Sequence, residues 1–496
     1  MKNDKLLYKI IFQYLKSDSQ DMWKQGITLV SVAERTRGMK RENFITESRK
    51  TPITDEYDVL VAGGGTAGTI AALAAARNGA RTLIIERHGH LGGSMINGAG
   101  PLHSFFNLYK AFPETGKIQV VRGIPDELIR RLTQAGGCMG HLEQEIGFEY
   151  DSVATIIDWE IYKHVIFNMM QESGVKLMLH TFVTDVIKEE NSVKGVIVES
   201  KSGREAILAK TVVDCTGDAD VAFRSGVECP NTYPDGHVGM PFGMTGVDIP
   251  KAAAYLEKQG VIYSMIHADK GSSYDNIVRM GFHLNKLPEF AEYMNKSGLW
   301  GPLTLARHEN EFSFINTTNI KPLDAVDIHE ITRAEIELRA QVMAMAELLR
   351  RHVPGFKNGY ISWTPVHFGV RRSRIVSCDY DISIDDIVNA RRFADEVAVY
   401  GFHDCAPRII IKDGKYYGIP YRALLPKGVE NLIVAGRLIT SNWEAHMSTR
   451  NTVSCMAQGQ AAGTAAALAA QNGKSPRDLD TEDLRTVLRE QGVFLD

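Results

Sequence analysis

A strand, a glycine-rich turn, a helix and a second strand follow one another from Tyr57 to Glu86, and this segment constrains the fold more than any other. The letters YDVLVA predict a short buried strand, GGGTAG a tight turn, and TIAALAAARNG an alanine-rich helix that ends at Gly79. RTLIIE then predicts the second strand. A unit of this kind opens a parallel sheet that binds an adenine dinucleotide.

Each glycine of the turn has its own physical reason. Gly63 makes the tight turn, Gly65 lets the backbone approach a pyrophosphate, and Gly68 lets the helix pack against the strand. The N-terminus of the helix adds the positive end of its dipole. Glu86, at the end of the second strand, can accept hydrogen bonds from ribose hydroxyls, and its charge disfavours a 2′-phosphate. The same predicted site includes Thr66, Ala67 and Arg87.

Later segments favour FAD over NAD as the dinucleotide. FAD is the longer cofactor and needs contacts from distant parts of the chain. TVVDCTGDAD and NLIVAGR each predict a strand that ends in a glycine turn. The helix after Arg450 can direct its N-terminus to the flavin and stabilise the negative charge of the reduced ring. The residues predicted to contact FAD there are Thr216, Gly217, Asp218, Gly436, Arg437, Asn451 and Thr452.

These segments together resemble the glutathione-reductase-like FAD superfamily, and within it a bacterial family of FAD-dependent oxidoreductases. The resemblance extends from about Tyr57 to the C-terminus. It implies a redox flavoenzyme but no substrate, and it does not cover the first fifty residues. It also implies that LGGSMINGAGPLH runs beside the ribitol and flavin, with Gly92, Gly93 and Ser94 close to the cofactor.

We therefore expect an α/β fold with two cores, because 496 residues exceed what one core usually holds. A Rossmann-like FAD-binding domain, with a parallel sheet, helices and a β-meander, carries an inserted α+β substrate domain. Aromatic and methionine residues become more frequent where the insertion is predicted. The predicted divisions are an N-terminal extension (1–50), the first part of the FAD-binding domain (51–230), the substrate domain (231–404) and the C-terminal part of the FAD-binding domain (405–496).

The substrate site needs groups that a flavin lacks, namely an acid or base and a cation that orients the substrate. His446 and Arg450 are four residues apart and share a face if their segment is helical. A site of arginines and histidines favours a substrate with a carboxylate or several hydroxyls, although such arginines also form structural ion pairs. The predicted catalytic residues are His103, Arg374, His403, His446 and Arg450, and His103 is also a candidate covalent flavin anchor.

Composition and spacing argue against several other classes. The net charge of −4, with both signs interspersed, gives no footprint for nucleic acid. The six cysteines are scattered without a C-x-x-C pair, which argues against a metal site and a redox dithiol. No segment reaches the roughly 18 apolar residues that span a bilayer. We expect a cytoplasmic protein whose first residues form an amphipathic docking helix. The sequence leaves open whether the protein forms a homo-oligomer.

The leading hypothesis is an enzyme that moves a hydride between non-covalently bound FAD and a carbon of a small organic substrate. No second dinucleotide fingerprint is present, so electrons come from the substrate or from a partner that the sequence does not name. Two alternatives remain: an NAD-dependent dehydrogenase that uses the single fingerprint, and a flavin-binding scaffold or sensor without turnover.

Overall fold

The computed structural model describes residues 47–97, 107–108, 118–143, 153–230, 237–405 and 408–495. The chain divides into two compact units, Met1–Thr51 and Pro52–Asp496. In the first unit, the described residues 47–51 form neither helix nor strand. The predicted N-terminal docking helix lies outside the described residues. All elements below belong to the second unit.

Strands and helices alternate along the second unit, as the sequence predicts for an α/β fold. The strands are β1 Ile53–Ala62, β2 Thr82–Ile85, β3 Asn107–Leu108, β4 Ile118–Gln119, β5 Cys138–Glu143, β6 Val153–Ile157, β7 Lys176–Met178, β8 Phe182–Glu189, β9 Ser192–Ser200, β10 Gly203–Asp214, β11 Val238–Gly239, β12 Phe242–Thr245, β13 Ile262–His267, β14 Ile277–Phe282, β15 Leu303–Leu305, β16 Glu311–Asn316, β17 Tyr360–Trp363, β18 Gly369–Val370, β19 Glu396–Tyr400, β20 Tyr417–Pro420 and β21 Leu432–Val434. The helices are α1 Thr66–Arg77, α2 Ser94–Asn97, α3 Ile124–Gln134, α4 Trp159–Glu172, α5 Asp220–Arg224, α6 Ile249–Lys258, α7 Pro288–Ser297, α8 Ile328–His352, α9 Ile384–Val388, α10 Trp443–Thr449, α11 Thr452–Asn472 and α12 Thr481–Glu490.

The main sheet has seven strands in the order β7-β2-β1-β10-β9-β8, with β21 paired to the end of β10. Strands β7, β2, β1, β10 and β21 run parallel, whereas β10, β9 and β8 form an antiparallel meander. The strand TLII of β2 is buried along its whole length, because helices and chain cover both faces of a parallel sheet. The predicted parallel sheet with a β-meander is confirmed.

Helices α1 and α11 pack on one another through small residues. Helix α11 is buried along almost its entire length. An ideal Cβ atom on Gly459 would lie 2.2 Å from the carbonyl oxygen of Ala67, and one on Gly463 would lie 2.0 Å from that of Ala71. The two backbones therefore touch, and only glycine fits at these two crossing points.

The inserted domain contains a six-stranded antiparallel sheet in the order β13-β14-β15-β16-β12-β17. Helices α6, α7 and α8 contribute buried apolar side chains to a core that includes Phe282 of β14 and Phe312 of β16. The sheet also contributes Tyr263, Leu303 and Asn316 to a cavity that reaches the strand ends of the main sheet. The predicted α+β insertion is confirmed, and this sheet brings a second wall to the cofactor domain.

Candidate active site

Four parallel strands end around one cavity of about 1000 Å³. Strands β1, β2, β10 and β21 run in the same direction, so their carboxyl ends lie at one edge of the sheet. The residues that follow these strands line the cavity: Gly63, Glu86, Cys215 and Ala435. This is the position at which open α/β sheets bind their ligands.

The three glycines of the first turn differ in what excludes a side chain. A Cβ atom on Gly63 would lie 2.5 Å from the carbonyl oxygen of Cys215, and one on Gly68 would lie 1.9 Å from that of Gly63. A Cβ atom on Gly65, by contrast, would lie 3.9 Å from its nearest neighbour, the carbonyl oxygen of Cys215. The protein itself therefore excludes side chains at Gly63 and Gly68, whereas a side chain at Gly65 would project into the cavity. This space fits a pyrophosphate in close contact with the backbone.

Two helices present N-termini without a side-chain cap to the cavity. Helix α1 begins after Gly65 and helix α11 after Asn451, and neither residue's side chain caps its helix. Helices α4, α6 and α8 begin instead at aspartates whose carboxylates accept from the first turn. The first-turn N–H groups of α1 and α11 thus remain available to an anionic ligand.

Glu86 lies at the cavity with a fixed carboxylate. One of its oxygens accepts from the backbone N–H of Gly64 at 2.8 Å, and the other from that of His88 at 2.9 Å. Its exposed fraction is only 6%. Each oxygen retains a lone pair, so the carboxylate can also accept from ribose hydroxyls. Arg87 follows at the exposed rim of the same cavity.

A buried carboxylate holds the turn that follows β10. Asp214 accepts from the backbone N–H and the hydroxyl of Thr216, and from the backbone N–H groups of Val221 and Ala222. Complete burial raises the pKa of Asp214, and these hydrogen bonds oppose that shift. The turn Thr216–Gly217 is thereby fixed at the cavity wall.

Asp218 links this turn to the end of β21. Its carboxylate accepts from the Ser373 hydroxyl at 2.6 Å and from the Arg437 guanidinium at 2.7 Å. Burial disfavours ionisation of Asp218, but the charge of Arg437 and both hydrogen bonds outweigh it, so the pKa of Asp218 lies below its ordinary value. Arg437 is thus held in place by an ionised partner beside the cavity.

Most residues predicted to contact FAD surround this single cavity. Those that line it are Gly63, Gly65, Thr66, Ala67, Glu86, Arg87, Gly93, Ser94, Thr216, Gly217, Asp218, Gly436, Arg437, Asn451 and Thr452. Gly68 and Gly92 lie behind the lining. A Cβ atom on Gly92 would be 2.4 Å from Ile96, so Gly92 shapes the chain beneath the cavity.

Arg450 is the one described residue of the predicted catalytic set that lines the cavity. Its guanidinium pairs with Asp404, and the side chains of both residues are nearly buried. Asp404 and Cys405 line the cavity beside it. Arg450 precedes the N-terminus of α11, so a cation and an uncapped helix end lie next to each other.

His403 and His446 make backbone contacts just behind the lining. The Nδ1 atom of His403 accepts from the backbone N–H of Cys405 at 3.0 Å, and its Nε2–H donates to the carbonyl of Glu444 at 2.8 Å. The Nε2–H of His446 donates to the carbonyl of Arg437 at 2.8 Å. Burial lowers the pKa of both imidazoles. This geometry favours neutral side chains that position the loop of Asp404 and the end of β21.

The structure places Arg374 away from the described cavity lining, and it does not describe His103. The guanidinium of Arg374 lies 3.4 Å from Asp220 and 4.5 Å from the ring centroid of Phe223, and Arg374 does not line the described part of the cavity. His103 lies outside the described residues. The catalytic role of these two residues, like that of His403 and His446, stays a prediction.

The second sheet and neighbouring loops contribute side chains that sequence reasoning missed. Their shared feature is that they face the cavity from the inserted domain: His237, Tyr263, Arg279, His283, Trp300, Asn316, His367 and Arg371. The alternation Arg279, Gly281, His283 would have placed three residues on one face of a strand. Nothing in the sequence alone indicated that this face meets the cofactor domain.

The match to known families decides the class of protein. Residues 58–488 match the family described as FAD dependent oxidoreductase. The chain belongs to this family. The cofactor is therefore FAD, which the close approach at Gly65, the uncapped helix ends and Glu86 fit.

Individual relatives match only part of the chain. Digeranylgeranylglycerophospholipid reductase 1 of Methanococcoides burtonii is 26% identical over 203 residues, which are 41% of this chain and 48% of that protein. Thiamine thiazole synthase of Methanococcus vannielii is 31% identical over 179 residues, 34% of this chain and 58% of that protein. The chain thus spans about half the length of these relatives.

A solved structure with a similar chain path is a geranylgeranyl bacteriochlorophyll reductase-like protein from Thermoplasma acidophilum. It has 15% sequence identity and a TM-score of 0.46, and the alignment covers 88% of this chain and 84% of that chain.

Among the helices that the structure describes, none combines the length and apolar character needed to cross a membrane.

Proposed function

We propose that this oxidoreductase transfers a hydride between FAD and a small organic anion that binds against the inserted sheet. The observation that carries the proposal is the continuity of the cavity. One space is lined by the dinucleotide turn at Gly65, by the N-terminus of α11, and by Arg279 and Arg371 of the inserted domain. A substrate on those arginines would share the space with the flavin.

In this proposal FAD lies along the ends of the parallel strands. Glu86 would hold the adenosine ribose, Gly65 and the first turn of α1 would hold the pyrophosphate, and the N-terminus of α11 would stabilise the reduced flavin. The other cavity-lining residues that the sequence indicated complete the site. In this proposal the flavin is held without a covalent bond.

The charge of the cavity supports an anionic substrate. Arg279, Arg371, Arg408 and Arg450 line its substrate end. Among the described lining residues at that end the carboxylates are Asp404 and Glu335. Asp404 is paired with Arg450, while Glu335 accepts from the backbone N–H of Phe368 and from Arg339. The cavity-lining arginines give this end of the cavity a positive field, which would favour a carboxylate on the substrate.

The chain also offers neutral imidazoles for proton exchange. Burial lowers the pKa of His283 and of His367, so both rings are neutral near pH 7. The Nδ1–H of His367 donates to the carbonyl of Phe368 at 2.7 Å, which leaves Nε2 as an acceptor. Bound FAD supplies the two-electron chemistry, and these side chains can hold the proton that accompanies it. Arg450, Arg279 and Arg371 orient the anion.

The remaining assignments are proposals of the same kind. Residues 51–230 and 405–496 hold the cofactor, and 231–404 cover the substrate. The six cysteines are free thiols, which supports the predicted cytoplasmic location. The narrower placement among glutathione-reductase-like proteins of bacteria stays a prediction. Electrons enter or leave through the substrate, or through a partner that is not yet identified.

Anaerobic titration of the flavin-loaded protein tests the proposed function. Small carboxylic acids and neutral sugars of similar size are added separately, and the visible flavin absorption is followed. Bleaching by an acid, or reoxidation of the reduced flavin by one, supports the proposal if Arg450→Ala keeps its FAD but loses the response. Turnover of neutral sugars alone, unaffected in Arg450→Ala, would contradict it.

A further inference from the structure

One row of residues crosses the inserted sheet where it faces the cavity. In the antiparallel register Gly281 of β14 lies opposite Leu303 of β15, and Leu303 lies opposite Asn316 of β16. Residues opposite one another in a sheet share a face. Leu303 and Asn316 line the cavity, so this row is part of its floor. The row runs from Gly281, which has no side chain, through the apolar Leu303 to the amide of Asn316.

An aromatic pair lies over the empty position. A Cβ atom on Gly281 would be 2.6 Å from Cζ of Tyr263, so the phenol ring occupies the space above this glycine. The Tyr263 ring stacks on the ring of His283, with centroids 4.5 Å apart and planes inclined by 30°. Both rings line the cavity. Gly281 thus allows a flat pair of rings to lie on the floor.

The guanidinium of Arg371 lies over a second aromatic ring of the cavity, that of Trp300. The guanidinium carbon of Arg371 lies 5.2 Å from the ring centroid of Trp300, and the ring of His237 approaches Trp300 edge-on at 6.4 Å. All three residues line the cavity. Arg279, two residues before Gly281 on the same face of β14, adds an almost fully buried guanidinium. Aromatic rings and the Arg371 guanidinium thus lie together on this wall.

We infer that the cleft selects a planar, conjugated carboxylate, with an aromatic acid as the best fit. This inference rests on the proposed function, because it narrows the organic anion to one shape. A flat ring contacts the faces of Tyr263, His283 or Trp300 over its whole area, whereas a saturated ring of the same size touches them only with axial hydrogens. Arg371, which lies over Trp300 and lines the cavity, has the planar guanidinium geometry that suits a carboxylate.

Binding of two matched acids to the flavin-loaded protein tests the inference. Benzoate and cyclohexanecarboxylate carry the same charge and the same number of carbon atoms but differ in planarity. Dissociation constants are measured by calorimetry and by the shift of the flavin spectrum. We expect benzoate to bind roughly three- to tenfold more tightly, the range that aromatic contacts contribute in other proteins.

Variants identify the surface that recognises the ring. Tyr263→Leu should remove most of the preference for benzoate and leave FAD content unchanged, while Tyr360→Leu, an exposed tyrosine of the same sheet that does not line the cavity, should keep the preference. Gly281→Ala should act like Tyr263→Leu, because its Cβ displaces the phenol ring. If Gly281→Ala fails to fold, Tyr263→Leu alone decides.

The outcomes separate this inference from the proposed function. Equal affinity for the two acids, or a preference that persists in Tyr263→Leu, overturns the planar-ring inference but leaves the anionic substrate in place. Binding of neither acid, together with flavin reduction by neutral sugars, overturns both. A preference for benzoate that Tyr263→Leu removes and Tyr360→Leu retains supports the inference.

Discussion

At the scale of single residues, neighbouring glycines have different partners. Gly68 is held against the backbone of Gly63, while the space beside Gly65 belongs to the cavity. The fingerprint indicated all three glycines because their spacing is local in the chain. It also assigned the close approach of a pyrophosphate to Gly65, and the open cavity space beside this glycine fits that assignment.

This difference gives a pair of contrasting variants. Gly65→Val should yield folded but colourless protein, because the side chain occupies the space of the pyrophosphate and meets little else. Gly68→Ala should instead lower the stability of the protein itself, by roughly 1–3 kcal/mol or more, because its Cβ would overlap the carbonyl of Gly63. Flavin content from the visible spectrum and denaturant unfolding of the apoprotein measure the two effects. Recovery of fully flavinated Gly65→Val would show that this space is not the cofactor site.

Arg450 and Arg374 form a second contrast at this scale. Both were indicated by sequence, but only Arg450 lines the cavity, whereas Arg374 pairs with Asp220. Arg450→Ala should keep FAD and weaken binding of a carboxylate roughly 10- to 100-fold, the effect of losing a charged hydrogen-bond partner. Arg374→Ala should turn over at a rate close to that of the unmodified protein. A severe loss of kcat/KM in Arg374→Ala, with normal FAD content, would support the catalytic role that the sequence suggested.

At the scale of elements, the contact of α1 with α11 fixes the cofactor cavity. Both helices direct an uncapped N-terminus to it, and Gly459 and Gly463 let them approach. The sequence predicted α1 and α11 because small residues and glycine ends mark them clearly. The six-stranded sheet was not predicted strand by strand, because its partners are far apart in sequence and its strands are short. The register that brings Gly281 opposite Leu303 is set by packing.

The helix contact leads to a stability prediction. Gly463→Ala should destabilise the protein by roughly 1–3 kcal/mol or more, although alanine favours an isolated helix, because the new methyl group would overlap the carbonyl of Ala71. Gly428→Ala, at a turn with a φ of +72° where nothing lies within 4 Å of the new methyl group, serves as a reference for backbone strain without steric overlap. Urea unfolding of the two apoproteins measures the difference. An unchanged or raised midpoint for Gly463→Ala would show that the helices do not touch as described.

At the scale of the whole molecule, buried neutral histidines make stability depend on pH. Burial lowers the pKa of His446, His403 and His367, and lowers that of His88 to about 4. In the unfolded chain these rings have ordinary pKa values near 6.5, so below that pH the unfolded state binds more protons. Their contribution to stability is therefore complete above about pH 6.5 and is lost as the pH falls below it.

We expect the free energy of unfolding to fall from pH 7 to pH 5, by up to about 1.4 kcal/mol per pH unit for each such histidine. His446→Gln removes one titrating group and keeps a donor for the carbonyl of Arg437. The fall should be shallower in this variant than in the unmodified protein. Thermal unfolding across this pH range gives the slopes. Identical slopes for His446→Gln and the unmodified protein would contradict the buried, neutral state of this ring.

The central claim is that FAD extends along the strand ends with its flavin facing the inserted sheet, and a crystal structure of the flavin-loaded protein tests it most directly. We expect electron density for the pyrophosphate against Gly65 and the first turn of α1, and for the ribose at Glu86. The flavin ring should lie at the N-terminus of α11, with the substrate space between the ring and the wall formed by Tyr263 and Trp300. Density for the cofactor in another cavity, or with the flavin ring turned away from the inserted sheet, would contradict the account.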